Sequence, residues 1–215
     1  MRFLPTPGDT CRINDNLHII RDGHVNFYSY AKGGDMVCVD AGFGSPTMKS
    51  ELDKLGLNPS SISHLFFTHS DRDHVGGLKL FPNAKVYISS EEEQMINGEK
   101  KRFLIMNNRL GTDRYTLLAD GEVVEVGDIT VKAVATPGHT PGSMSYLIDG
   151  SVLCTGDTLV LRDGEVKPTM RLLNMDTQRE LESIRKLAKI GGVKVLCTAH
   201  SGYTTDYVKA MRGWM

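Results

Sequence analysis

Long apolar runs are missing from this chain of 215 residues, and no stretch approaches the roughly 18 residues that a membrane span requires. The opening MRFLPTPGDT holds two prolines and no apolar run of leader length, so a cytoplasmic location is expected. A dominant charge is missing as well. Lys+Arg number 25 against 26 Asp+Glu, which leaves no long-range field of one sign to recruit nucleic acid or an anionic membrane surface. A small-molecule substrate is the expected partner, with no nucleic acid and no membrane, and nothing in the sequence speaks to oligomeric state. Cysteine is scarce. Cys11, Cys38, Cys154 and Cys197 lie far apart with no CxxC pair, and three of them sit in the apolar runs MVCVD, VLCTG and VLCTA, which reads as buried free thiols.

What is present is a core-forming composition. With 40% hydrophobic residues the chain can bury a full core without disulfides, and one domain over residues 1–215 is expected. Residues 17–21, 25–32 and 35–40 read as an antiparallel meander turned at Asp22-Gly23 and Gly33-Gly34. Ser45 and Pro46 read as the N-cap and first residue of a helix that runs to Leu55 and closes at Gly56. A short strand over 64–68, a helix-compatible stretch around Leu78 and a strand over 85–89 follow. Ser90 then opens a helix whose first turn carries Glu91, Glu92 and Glu93.

Residues 97–118 lack periodicity and read as a lid over a site. Their basic cluster, Lys100, Lys101 and Arg102, reads as a solvated helix face with no role, because three adjacent charges cannot all face one side of a helix. The second half repeats the opening grammar, with strands over 122–126, 129–136, 144–149 and 151–155, then helices over 176–190 and 204–211. Strand-rich segments followed by helices, twice, predict an α/β four-layer αββα sandwich of two mixed sheets packed face to face.

The chemistry concentrates in Thr68-His69-Ser70-Asp71-Arg72-Asp73-His74-Val75-Gly76-Gly77, four potential metal ligands within six residues between a strand and a helix. A bend there can turn His69 and Asp71 toward one point and Asp73 and His74 toward a neighbouring one, with Gly76 and Gly77 allowing close backbone packing. Three more candidates end apolar runs in the same way: His139, Asp157 and His200. Singly, an Asp after a strand can cap a turn and a lone His is usually structural. Their number and placement favour a metal site.

With these residues in place the sequence resembles the metallo-β-lactamase superfamily, whose core motif is His-x-His-x-Asp-His followed by a His, an Asp and a His on later loops. The likeness extends to Val37-Cys38-Val39-Asp40-Ala41-Gly42 and to Pro137-Gly138-His139-Thr140-Pro141-Gly142-Ser143, and it spans nearly the whole chain. The resemblance implies a first metal set of His69, Asp71 and His139, a second of Asp73, His74 and His200, and Asp157 bridging the two. Asp71 departs from the pattern, standing where most members have a second histidine. A harder ligand widens the expected cofactors, two divalent ions, from zinc toward manganese and iron.

Paired divalent ions lower the pKa of water toward about 7 and polarise a carbonyl oxygen, so no protein nucleophile is needed. The resemblance further implies that Asp73 orients the water and moves its proton. The leading expectation is therefore a metallo-hydrolase acting on a thioester, lactone or related ester-type bond of a small metabolite, as in glyoxalase-II-like and lactonase-like members. Asp71 also suggests an iron-dependent redox enzyme, flavodiiron-like or persulfide-dioxygenase-like, and a nuclease ranks below both. From a different class, a non-enzymatic protein could keep the metals as structural staples, although open coordination argues against it.

Overall fold

The computed structural model describes residues 6–102 and 105–215. Residues 1–5 of the opening segment, and residues 103 and 104 of the stretch expected to form a lid, lie outside the described residues. The first sheet takes its strands in chain order: β1 (Cys11–Arg12), β2 (Leu17–Asp22), β3 (Val25–Lys32), β4 (Asp35–Val39), β5 (His64–Phe66), β6 (Lys85–Ser89) and β7 (Thr116–Leu118). β2 to β4 are the expected antiparallel meander, turned at positive φ by Gly23 and Gly33, and the short β1 adds an antiparallel strand beside β2 that the sequence reading did not include. From β4 onward the pairing is parallel, which requires crossovers. These carry α1 (Met48–Lys54), α2 (Arg72–Val75) and α3 (Glu93–Ile96).

The second half supplies β8 (Val123–Val126), β9 (Ile129–Ala135), β10 (Met144–Ile148) and β11 (Val152–Cys154), then a separate hairpin of β12 (Val160–Arg162) and β13 (Glu165–Lys167). After α4 (Thr177–Ala188) come β14 (Val195–Thr198), β15 (Gly202–Thr204) and α5 (Tyr207–Met211). The second sheet runs β15-β14-β11-β10-β9-β8, with only β11 and β14 parallel.

Alternating side chains sort into three apolar layers. Leu17, Ile19, Tyr28, Val39 and Phe66 of the first sheet meet Val131, Ala133, Met144, Tyr146 and Cys154 of the second. On the outer face of the first sheet, Ile20, Phe27, Cys38 and Leu65 pack on Met48 and Leu52 of α1. On the outer face of the second, Leu153 and Leu196 pack on Ile184 and Leu187 of α4 and on Tyr207 and Met211 of α5. Each buried side chain of this kind contributes about 1.5–3 kcal/mol. The expected αββα sandwich is therefore present, and all four cysteines are free, with Cys38, Cys154 and Cys197 buried.

Several boundaries differ for reasons that only the tertiary contacts supply. The first helix starts at Met48 because Asp22 claims the Ser45 hydroxyl and N–H, so Ser45 ties down a loop instead of capping. Residues 202–204 pair with β14, and the last helix therefore waits until Tyr207, capped by Asp206 accepting from the Lys209 N–H. Residues 116–118, inside the aperiodic stretch, form an edge strand on β6.

Candidate metal centre

The loops that leave β5, β9, β11 and β14 converge at one edge of the sandwich, the place where α/β sheets build their sites. They bring together all seven residues expected from the sequence. His69, His139 and Asp157 form one group and Asp73, His74 and His200 another, with the ligand atoms of each group within 4.8 Å of one another. Asp157 stands between them. Its Oδ2 lies 3.4 Å from His139 Nε2, and its Oδ1 lies 3.3 Å from His74 Nε2 and 3.1 Å from His200 Nε2.

The site's own atoms test whether a metal fits. His69 Nε2, His74 Nε2 and Asp157 Oδ1 are buried without a hydrogen-bond partner. Leaving such an atom unsatisfied costs about 1–3 kcal/mol. Three of them in one cluster of imidazole and carboxylate donors suit a divalent cation.

Surrounding groups fix the ring orientations. Asp40, held at φ 62°, accepts from the Thr68 N–H at 2.8 Å and from the Thr68 hydroxyl at 2.9 and 3.0 Å. His74 Nδ1 donates to Asp40 Oδ2 at 2.8 Å, which turns the His74 Nε2 lone pair into the site. His200 Nδ1 donates to the His24 carbonyl at 2.7 Å. The His24 ring lies parallel to that of His200 at 5.9 Å, and its Nε2 is 3.3 Å from Asp73 Oδ2.

Glu92, fully buried, straps the two ligand loops together. Its carboxylate accepts from the Ser70 N–H and hydroxyl at 2.9 and 2.6 Å, and from the Thr140 hydroxyl and Gly142 N–H at 2.6 and 3.2 Å. The sequence reading took Glu92 for a first-turn acid of a helix. It does lie in the opening turn, a 3-10 turn over Ser90–Glu92 that leads into α3, with Ser89 as the cap where Ser90 was expected to open the helix. Close packing matters here, since a Cβ on Gly142 would meet the Glu92 nitrogen at 2.1 Å and one on Gly77 would meet the Ala41 carbonyl at 2.0 Å.

One sequence expectation changes beside Asp71. It lies 3.6 Å from His69 Nε2 and 3.3 Å from His139 Nε2, yet its carboxylate is already held by protein groups. Oδ2 accepts from Arg102 Nε at 3.0 Å and pairs with Nη2 at 2.9 Å, while Oδ1 accepts from Asn108 at 2.8 Å. The solvated reading of the basic cluster holds for Lys100 and Lys101 and fails for Arg102, which is 4% exposed. Arg102 Nη1 donates to the carbonyls of His139 and Leu173 at 3.1 and 3.0 Å, and Nη2 donates to His139 Nε2 at 3.0 Å. Arg102 pairs with Met106 in an isolated bridge outside any helix, so helix geometry does not govern which way its side chain points. One signal was available: a buried extra carboxylate requires a cation.

Charge balance follows from these contacts. Burial pushes His139 down, keeping the ring neutral even with Asp157 nearby. Burial also opposes charging of His200, but Asp157 outweighs it and pushes His200 up to about 9. Asp71 is raised by burial and lowered more strongly by the adjacent His139 and His69 rings, ending well below the usual carboxylate range.

A cavity of about 330 Å³ opens onto the site, walled by Val160, Arg162, Thr169, Met170 and Leu173 beside His24, Asp73 and Arg102. Of this wall, Val160 and Arg162 belong to β12, and Thr169, Met170 and Leu173 to the segment between β13 and α4.

An αββα sandwich with paired His/Asp groups at its edge defines a metal-dependent class of enzyme folds. The chain belongs to the metallo-β-lactamase superfamily, a superfamily of metallo-hydrolases, whose family model matches residues 20–200. Membership together with the His/Asp groups implies a divalent metal. The chain is 27% identical over 183 residues to hydroxyacylglutathione hydrolase of Serratia proteamaculans, covering 83% of this chain and 62% of that protein. It is 30% identical over 165 residues to atrochrysone carboxyl ACP thioesterase of Emericella nidulans, covering 74% of this chain and 48% of that protein. Among solved structures, Rm3 metallo-β-lactamase superposes with a TM-score of 0.75 at 19% identity, covering 97% of this chain and 90% of that one. The chain spans about half to two thirds of the length of most curated relatives it matches.

Proposed function

We propose that the protein is a metallo-hydrolase that cleaves an ester-type bond, a thioester or lactone, in a small metabolite. The observation that carries this reading is the convergence of unsatisfied His69 Nε2, His74 Nε2 and Asp157 Oδ1 beside an open cavity. His69, His139 and Asp157 would hold one divalent ion and Asp73, His74, His200 and Asp157 a second, with Asp71 available to the first. When bound, such ions lower the pKa of water and polarise the scissile carbonyl.

The chain's own residues supply the rest. Asp157 holds the two groups in register through its separate oxygens. Asp73 faces the cavity and is placed to orient water and carry a proton at Oδ2, with His24 Nε2 3.3 Å away as a relay toward solvent. Val160, Met170 and Leu173 give an apolar wall for an acyl group, and the exposed Arg162 offers a cation to an anionic substituent. The names of two relatives, a hydroxyacylglutathione hydrolase and a carboxyl ACP thioesterase, support this substrate class. A carboxylate ligand at position 71 would favour iron redox chemistry, but the pairing of Asp71 with Arg102 and Asn108 weakens that alternative.

The test is elemental analysis combined with a hydrolysis screen of thioesters, lactones, phosphodiesters and β-lactams in the presence of Zn²⁺, Mn²⁺ or Fe²⁺. Thioester or lactone turnover that disappears on chelation, and a joint loss of metal and turnover in Asp157→Ala, are expected. Full metal content and an unchanged rate in Asp157→Ala would refute the shared-carboxylate assignment.

A further inference from the structure

His139 presents one lone pair to the site, and two claimants face it. Its Nδ1 lies 3.3 Å from Asn174 Oδ1, and the Asn174 amide is set in that orientation by donating Nδ2 to Glu180 Oε2 at 2.6 Å. An Nδ1–H tautomer leaves Nε2 as the acceptor. A guanidinium carries donors and no acceptor, so the 3.0 Å contact between Arg102 Nη2 and His139 Nε2 is Arg102 donating into that lone pair. A metal ion held by His139 needs the same lone pair.

In the second group the flanking base is an imidazole, that of His24 beside Asp73, and not a guanidinium. Among the described residues, no arginine or lysine pairs with Asp73, His74 or His200. Asp71 completes the asymmetry. Its Oδ2 pairs with Arg102 while lying 3.3–3.6 Å from the Nε2 atoms of His139 and His69, so it can serve the guanidinium or an ion in the same place.

We infer that Arg102 is a resident counter-cation of the first group: it and a metal ion exclude each other at His139 Nε2, so the two sites fill in order. The group of Asp73, His74 and His200 fills first. The group of His69 and His139 fills only when Arg102 leaves Asp71 and His139, releasing as well its hold on the His139 and Leu173 carbonyls on two sides of the cavity. Metal occupancy and the position of the segment around Arg102 are thereby linked. This inference rests on the metal-site reading proposed above.

Stripped protein titrated with Zn²⁺ against a chromophoric chelator tests the order of filling. Displacing charge-assisted hydrogen bonds should make the second equivalent at least about tenfold weaker than the first in the wild type. Arg102→Met should close that gap by tightening the second equivalent alone. Hydrogen exchange on the wild-type protein needs no variant: amides around Arg102 should exchange faster as the second equivalent binds and not as the first does. Equal affinities for both equivalents, an unchanged second equivalent in folded Arg102→Met, or exchange that ignores the second equivalent would each overturn the inference while leaving the metallo-hydrolase reading intact. Failure to bind any metal would remove both.

Discussion

Glu92 should matter more to this protein than its place among three consecutive acids suggests. The carboxylate gathers two N–H and two hydroxyl donors from the loops that carry His69 and His139. In Glu92→Ala the Thr140 hydroxyl can turn to Ser143 at 2.9 Å, but the Ser70 hydroxyl, which only accepts from Asn108 at 2.9 Å, and the Ser70 and Gly142 N–H groups are left without an acceptor. At about 1–3 kcal/mol for each of the three donors, the loss is roughly 3–9 kcal/mol, a large share of the typical 5–15 kcal/mol of a domain. Glu92→Gln keeps the shape and one oxygen. The Thr140 hydroxyl can rotate to accept from the new amide, so one N–H, that of Gly142, is orphaned at about 1–3 kcal/mol. Urea unfolding of the metal-free variants measures both, with Ala costing more than Gln. Metal affinity should fall in the same order, by about 10–100-fold, because the loops lose their common anchor. If both variants unfold within about 0.5 kcal/mol of the wild type, the strap has no energetic role and the reasoning fails.

Asp40→Asn should let His74 turn or change tautomer, because an amide can present a donor to Nδ1 where the carboxylate only accepts. Metal affinity measured by chelator competition should drop about 10–100-fold with little change in fold, as monitored by circular dichroism. Glu180 gives a pH dependence. Burial pushes its carboxyl up to about 7, against which the hydrogen bonds from Thr169 and Asn174 work. The folded state therefore holds a proton that the unfolded state has lost. The favourable contribution is complete below the unfolded value of about 4.3 and is lost as pH rises through about 7. Metal-free protein should lose stability over that window, and Glu180→Gln should flatten the profile; an identical slope in the variant would disprove the assignment.

Much of the site was legible because its chemistry is local. His69, Asp71, Asp73 and His74 fall within six residues, and His139, Asp157 and His200 each follow an apolar run that could only be a strand. The layers were legible too, since period-two and helical patterns determine which face of an element is apolar before anything packs against it. The same locality explains the errors. Ser45 looked like a cap because the sequence cannot display Asp22, which reaches it across 23 positions. Arg102 looked solvated because its partners Asp71, His139 and Leu173 lie between 31 and 71 positions away.

The sequence by itself therefore determined which residues could serve a metal and the sandwich that carries them, because ligand chemistry and hydrophobic periodicity are properties of short segments. Only the tertiary structure decided how those residues are supported and balanced: Glu92 tying two loops, His24 beside Asp73, and Arg102 neutralising Asp71. The physical reason is that a buried charge or lone pair is satisfied by whatever the fold brings within about 3 Å, and sequence separation places no limit on that partner.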